Sequence, residues 1–363
     1  MMAWLLIIPF LLYLAFFIIA LKNIPSEKFT ASKSGNQTDI AVIIPCRNEE
    51  ENITHILESI AVQNYPSGSF EVIVVDDNST DATFEVASDF TGIERYRVLR
   101  NKGTGKKQAI LAGVEASSAE LIITTDADCR PLPSWLSSFS TIYEAEKPSM
   151  IIGPVKLDCG KGLFNIFQQA EWLGLQGITA GLAQAGKAVL CNGANLGIKR
   201  ELFLKYYGQI YEKIPSGDDV FLLHAVKSHL NNKIVWLSAS DGMVVTPAAG
   251  SLYKLLRQRA RWISKAGAYR DILTILLSVT VFTTVFALGF LTVASLFDLR
   301  FLPMFLVCFI LKNVADIPLI HKMGRFYGQK PFTGLIIPLQ LLYPFYGVGI
   351  LFFLLPGQQG WKK

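Results

Sequence analysis

The feature that most constrains this chain is a set of uncharged apolar runs near both of its ends. Residues 3–21 run for 19 positions without a charge. At about 1.5 Å per helical residue, that length crosses a hydrocarbon core. The run lacks a basic leading region and a small-x-small cleavage site before Lys22, so it reads as an uncleaved anchor rather than a signal peptide. Lys22, Lys28 and Lys33 follow it, and no Lys or Arg precedes it. The positive-inside rule then puts the following domain in the cytosol. Residues 272–297 and 331–356 are further uncharged runs. Between them, residues 301–320 are apolar but interrupted by Lys312 and Asp316, and read either as a span or as a re-entrant piece. Lys312, Lys322, Arg325 and Lys330 cluster there; a crossing puts that cluster in the cytosol, which favours the span. The expected organisation is an anchor over residues 1–22, a cytosolic domain over 39–268, and a membrane region over 271–358 with three hydrophobic segments. The expected location is a bacterial inner membrane.

Composition agrees with a soluble domain carrying a few spans. Apolar residues make up 51% of the 363 positions, and the mean hydropathy is +0.36, high for a soluble enzyme and low for a pure transporter. The net charge of +5 gives no case for nucleic-acid binding, because basic residues flanking membrane segments account for it. The five cysteines, Cys46, Cys129, Cys159, Cys191 and Cys308, form no C-x-x-C pair. They read as reduced thiols rather than as a disulfide framework or a structural zinc site.

The core after the first run alternates strand and helix patterns. Residues 40–45 (IAVIIP) and 72–75 are buried-strand runs. Residues 50–63 place Ile53, Ile56, Leu57 and Ile60 at helical spacing, and a further helix starts near Asp81. A short strand over 97–99, a helix over 104–116 and a strand over 121–125 follow. This alternation predicts an α/β domain with a largely parallel sheet and helices on both faces. Ligands of such sheets bind beyond the carboxyl ends of the strands. Asp76-Asp77 and Asp126-Ala127-Asp128 stand there, and both junctions are expected to open onto the same sheet edge.

Five constellations carry candidate chemistry. Two carboxylates one residue apart, Asp126 and Asp128, can share a hard cation such as Mg²⁺ or Mn²⁺, which takes oxygen ligands and retains waters or phosphate oxygens. Such an ion bridging a diphosphate would offset charge on a leaving nucleotide; a solvated loop is the plain alternative. Asp76-Asp77-Asn78-Ser79 offers a carboxylate to a nucleotide base or ribose, or else an Asx turn and helix cap. Gly103-Thr104-Gly105-Lys106-Lys107 opens a helix whose N-terminus, beside Lys106, attracts phosphate, although the spacing is not that of a P-loop. Asp218-Asp219 begins an apolar helical run; helix-dipole stabilisation explains acids there, and the functional reading makes Asp219 a general base for an acceptor hydroxyl. Gln258, Arg261 and Trp262 share a helical face just before the second apolar run. Arg261 can grip diphosphate oxygens and Trp262 can stack on a sugar, while a basic juxtamembrane helix with an interfacial Trp is the alternative.

In this order, IIPCRNEEENI, VVDDNS, GTGKKQAI, TTDADC, NGANLGIKR, GDD and QRARW resemble the family 2 glycosyltransferases of GT-A fold, over roughly residues 40–262. The resemblance implies a Rossmann-like nucleotide-sugar-binding domain, flanked by membrane helices as in the membrane-bound synthases. It also implies inverting, single-displacement transfer from a UDP- or GDP-sugar. Pro45, Asn48 and Glu49 then line the nucleotide pocket with Asp76 or Asp77. Lys106 lies near the donor phosphates, Asp126 in the ribose–diphosphate region, and Asp128 holds Mg²⁺ or Mn²⁺. Gly193 and Asn195 fall in the acceptor-side loop, Asp219 corresponds to the base, and Gln258, Arg261 and Trp262 match a Q-x-x-R-W signature. The family's Glu-Asp pair stands here as Asp218-Asp219, with Asp218 one methylene short.

The expected partners are a nucleotide sugar, a UDP-sugar first, and a lipid or glycan acceptor at the membrane. Three C-terminal segments are few for a polymer channel, which favours transfer to a lipid or lipid-linked glycan over processive synthesis. A transporter with a degenerate nucleotide domain and a non-catalytic binding module are the readings outside the enzyme class. Transport paths need intramembrane polar groups that two of the runs lack, and intact acids at three sites speak against a binding module.

Overall fold

A computed structural model describes residues 6–25, 38–207, 218–229, 232–331 and 333–354. The chain divides into two bodies. One holds the sheets. The other is helical and collects the N-terminal helix, Cys159–Val189 and the chain from Ala248 onward.

Among the described residues the sheet body contains ten strands: β1 (Ile40–Cys46), β2 (Phe70–Asp76), β3 (Tyr96–Arg100), β4 (Leu121–Thr124), β5 (Arg130–Pro131), β6 (Met150–Ile152), β7 (Val155–Asp158), β8 (Leu196–Lys199), β9 (Ile234–Trp236) and β10 (Val244–Pro247). Seven form one sheet in the order β3-β2-β1-β4-β8-β6-β9, and a small second sheet has the order β5-β10-β7. Every residue of β1, β2 and β4 is buried, which is why these strands read as unbroken apolar runs. β1 runs parallel to β2, with Cys46 opposite Asp76, and parallel to β4, with Ile43 opposite Thr124. Both acid-bearing strand ends therefore open onto one edge, as expected. The sheet is not wholly parallel. β8 runs antiparallel to β4 and β6, so the loop before β8 arrives at the edge where β4 ends.

Twelve α-helices lie among the described residues. In chain order they are α1 (Ile8–Asn23), α2 (Ile53–Ala61), α3 (Thr83–Ser88), α4 (Lys106–Ala116), α5 (Trp135–Glu146), α6 (Leu163–Gln184), α7 (Arg200–Tyr207), α8 (Asp218–Lys227), α9 (Leu252–Ile263), α10 (Ile272–Phe297), α11 (Leu302–Phe326) and α12 (Thr333–Phe352). Of the helical body's members, Ile272–Phe297, Leu299–Phe326 and Thr333–Phe352 are long and apolar enough to cross a membrane. The interruption at Lys312 and Asp316 does not break α11. The Lys312 ammonium reaches Asp316 Oδ2 at 2.5 Å and Gln340 Oε1 at 2.6 Å, and Tyr13 donates to Asp316 Oδ1 at 2.6 Å. Charges one helical turn apart neutralise each other, and α1 and α12 supply the remaining partners, so the segment stays helical in apolar surroundings.

The bodies do not follow the linear boundary at residue 268. α6 groups with the helical body, as does α9. Its sequence is too polar to read as membrane-associated, because its buried face carries Gln168 and Gln176. Both amides are satisfied inside that body, Gln168 by the Ala249 backbone and Gln176 by the Tyr327 hydroxyl. Close approach also requires glycine here. A Cβ on Gly181 would lie 2.2 Å from the Ala20 carbonyl oxygen of α1, and one on Gly177 would lie 2.6 Å from Leu319 of α11. This is the small-xxx-small spacing that lets helix backbones touch.

Two outcomes are expected. Gly181→Leu should lower the thermal midpoint in detergent, with overpacking costing about 1–3 kcal/mol; an unchanged midpoint would contradict the close packing. Burial pushes the Cys46 and Cys129 thiols well up, and nearby Asp76 and Asp126 add to the effect. Iodoacetamide at pH 8 should therefore modify the half-buried Cys159 and Cys191 before either of them. Equal rates at all four would contradict this.

Candidate active site

Three loops meet beyond the carboxyl ends of β1, β2 and β3, and side chains weave them together. Asp77 is fully buried. Its Oδ1 accepts from Asn101 Nδ2 at 2.6 Å and from the Gly105 N–H at 2.8 Å, and Arg47 lies 3.7 Å from its Oδ2. Gly105 has φ +95°, the left-handed region that favours glycine, and it caps α4. The Asp77 carboxylate thus pins the start of α4, where the helix dipole also favours an anion. Asn48, at φ 54°, accepts from the Thr80 N–H at 2.9 Å, and its own N–H donates to Ser79 Oγ at 3.0 Å. The Glu49 N–H donates to Thr83 Oγ1 at 2.7 Å. Pro45 is buried at the end of β1.

These contacts separate two neighbouring acids that sequence alone leaves as alternatives. Asp77 is committed to the loop framework. Asp76 is 1% exposed; its Oδ2 accepts from the Ser79 N–H at 3.3 Å, while its buried Oδ1 has no partner in the protein. Thr125 Oγ1, at the end of β4, is likewise buried without one. Buried polar atoms of this kind call for a ligand or water to complete them. Arg47 and Asn101, which tie the loops through Asp77, were not among the sequence candidates. Their only sequence signal is a polar residue directly after a strand.

The second acidic turn follows β4. Lys106, in the first turn of α4, reaches Asp126 Oδ1 at 2.5 Å. Asp128 lies partly exposed in the turn after it. Among the described residues, no group of three or more His, Cys, Asp or Glu side chains forms a ready-made metal cage. The donors present nonetheless suit a hard divalent cation, which is commonly held by one or two carboxylates plus substrate phosphates and water. Asp126 and Asp128 are the two carboxylates that this turn offers to such an ion.

Asp219 is brought to the same edge. The loop before β8 runs past the end of β4, where Thr124 Oγ1 donates to the Gly193 carbonyl at 2.8 Å. The Gly193 N–H in turn donates to Asp219 Oδ2 at 3.0 Å. Asp219 Oδ1 accepts from the Val220 N–H at 2.8 Å, in the first turn of α8, and the residue is partly exposed. The carboxylate is therefore two hydrogen bonds from the strand that delivers Asp126 and Asp128. The side chain of Asp218 lies outside the described residues. Asn195 stands in the same loop as Gly193. It is fully buried; its Nδ2 donates to the Pro154 and Gly242 carbonyls at 2.8 and 3.0 Å, and its Oδ1 accepts from Trp135 Nε1 at 2.9 Å. Its amide is spent on holding the loop that positions Gly193.

Gln258, Arg261 and Trp262 sit on α9 in the helical body, all partly exposed. The residue between them, Arg259, is buried against Glu171 of α6, and sequence reading had assigned it no role.

Known proteins give a consistent picture. An N-acetylglucosaminyltransferase of Sinorhizobium fredii is 26% identical over 270 residues, covering 70% of this chain and 64% of the relative. An undecaprenyl-phosphate 4-deoxy-4-formamido-L-arabinose transferase of Aeromonas hydrophila is 37% identical over 105 residues, covering 27% of this chain and 32% of that protein. The chain spans between 33% and 64% of the length of the first three curated relatives that it matches. A solved structure of the mannosyltransferase PcManGT from Pyrobaculum calidifontis, in complex with GDP-Man and Mn²⁺, superposes with a TM-score of 0.60 at 17% identity and covers 97% of each chain. That likeness speaks for the fold. Residues 41–207 match the model of glycosyl transferase family 2, and with the strand order and acidic edge described above, the chain carries a family 2 glycosyltransferase domain of GT-A fold.

Proposed function

We propose that this chain transfers a sugar, with inversion, from a nucleotide-diphosphate sugar to the hydroxyl of a lipid or lipid-linked glycan at the cytosolic face of a membrane. The observation that carries the reading is the Thr124–Gly193–Asp219 hydrogen-bond chain, which sets a half-exposed carboxylate beside the strand end bearing Asp126 and Asp128. A UDP-sugar is the first donor to test, with GDP-sugars beside it.

In this reading the loops of Pro45, Asn48 and Glu49 form the nucleotide wall. Asp76, with its unpartnered Oδ1, accepts a donor hydrogen from the base or ribose, and Asp77 keeps the wall in place. Lys106 exchanges part of its contact with Asp126 for donor phosphate oxygens, a charge-assisted bond of the stronger kind. A divalent ion, when bound at Asp128, supplies charge that favours departure of the diphosphate. Asp219 takes the proton of the acceptor hydroxyl as that oxygen bonds to the sugar's C1. The bond from C1 to the phosphate oxygen breaks, and the nucleoside diphosphate leaves with the electron pair. One displacement inverts the anomeric centre. By the Q-x-x-R-W resemblance, Gln258, Arg261 and Trp262 are the residues assigned to diphosphate and acceptor.

A lipid acceptor is supported by the three helices long and apolar enough to cross a membrane and by the relative named as an undecaprenyl-phosphate transferase. A processive synthase is the other outcome, and product length on purified protein separates the two: long polymer would sink the single-transfer reading.

Asp219→Asn should lower transfer about 10²–10⁴-fold, the usual contribution of a general base, while donor affinity is kept. Turnover at the wild-type rate would remove Asp219 from that role. Calorimetry of Asp128→Ala with UDP and Mn²⁺ should show loss of the metal-dependent part of binding. Affinity equal to wild type would overturn the assignment.

A further inference from the structure

The α9 motif contains a charge with no part in the scheme above. Arg259 lies inside the helical body, its side chain 7% exposed against a Glu171 side chain 11% exposed. Its Nε donates to Glu171 Oε1 and Oε2 at 3.0 and 3.2 Å, and its Nη2 donates to Oε2 at 2.7 Å. Tyr346 of α12 donates to Glu171 Oε1 at 2.8 Å. Three helices, α6, α9 and α12, are thereby joined through one carboxylate. An exposed arginine on a basic juxtamembrane helix would be expected to meet phosphate. This one is turned inward and matched by a carboxylate in a bidentate geometry.

Two further contacts link Arg259 to the motif. Its Nη1 donates to Gln258 Oε1 at 2.6 Å. Only the oxygen of that amide can face a guanidinium, so the Gln258 nitrogen is the end left to face away, as a donor toward oxygen-rich ligands. The guanidinium carbon also lies 4.2 Å from the centre of the Trp262 ring, whose neighbour is Trp172 at 6.0 Å. A planar cation over the indole fixes the ring's orientation as well as its distance. One buried group thus sets the attitude of two of the three motif side chains.

We propose that Arg259 is a positioning residue: held by Glu171 and Tyr346, it orients the Gln258 amide and the Trp262 ring so that they present a donor edge and an aromatic face to the substrate. This rests on the reading that Gln258 and Trp262 serve the reaction.

The test compares Arg259→Gln, Glu171→Gln and the double variant in the full chain in detergent. Release of nucleoside diphosphate is followed from UDP-glucose, UDP-N-acetylglucosamine or GDP-mannose, whichever turns over. Each single variant should lower kcat about 10–100-fold, the scale of a misplacement near 1 Å, with donor KM unchanged and a shifted tryptophan emission. The double variant should be no slower than the worse single, because both changes remove the same clamp. A wild-type rate for Glu171→Gln beside an inactive Arg259→Gln would overturn the proposal, because Arg259 would then act on substrate directly. Should these variants fail to fold, Tyr346→Phe, which keeps the ion pair, decides: a reduced kcat at constant donor KM supports the clamp, and wild-type kcat overturns it. Wild-type rates for both Gln258→Ala and Trp262→Ala would sink the underlying reading. Losses in those two beside an unaffected Arg259→Gln would sink the positioning role alone.

Discussion

The edge at which donor chemistry is possible depends on one buried anion. Asp77 has no exposure, yet it binds three loops: its own at the end of β2, the Asn101–Gly105 loop between β3 and α4, and, through Arg47, the loop after β1. A buried carboxylate is costly unless its lone pairs are filled, and here amide and backbone donors fill them. Because those donors lie outside its own loop, the carboxylate is satisfied only where the loops converge. Convergence puts Lys106 at the first turn of α4 within reach of Asp126, and leaves Asp76 beside it with an oxygen unclaimed. The framework and the candidate ligand group are adjacent residues with opposite hydrogen-bond status.

A second dependence runs through the antiparallel strand. β8 enters the sheet against the direction of β4, so the loop that precedes it begins where β4 ends. Asn195 spends its whole amide on holding this loop. Gly193 then offers its N–H to Asp219. The base candidate is thus placed by backbone, which fixes a carboxylate more tightly than a contact between two flexible side chains.

Much of this was legible in the sequence, and the reasons are specific. β1, β2 and β4 are buried throughout, so their apolar runs stood out and the acids just beyond them marked the edge. The glycine-rich turn before Lys106 and the residues around Asp219 were legible as motifs, although not as neighbours. What could not be read was which of two adjacent carboxylates is framework and which is open, because that depends on donors about 24 to 28 residues away. The resemblance put Asn195 in the acceptor-side loop, but the burial of its amide depends on Trp135, Pro154 and Gly242, far from it in sequence. α6 escaped notice because its buried polar side chains lower its hydropathy while finding partners inside the helical body. Lys312 and Asp316 left the third run open between a span and a re-entrant piece, with the basic cluster favouring the span; their pairing one turn apart shows how the helix carries both charges.

The central claim is that the acids at this edge carry out a single displacement on a nucleotide sugar. The direct measurement is proton NMR of the anomeric centre in the product, formed by the purified chain from an α-linked nucleotide sugar, Mn²⁺ and a membrane lipid extract. The account predicts a β-linked sugar in the organic-soluble fraction. An α-linked product would contradict the single displacement on which the roles of Asp219 and the strand-end acids rest.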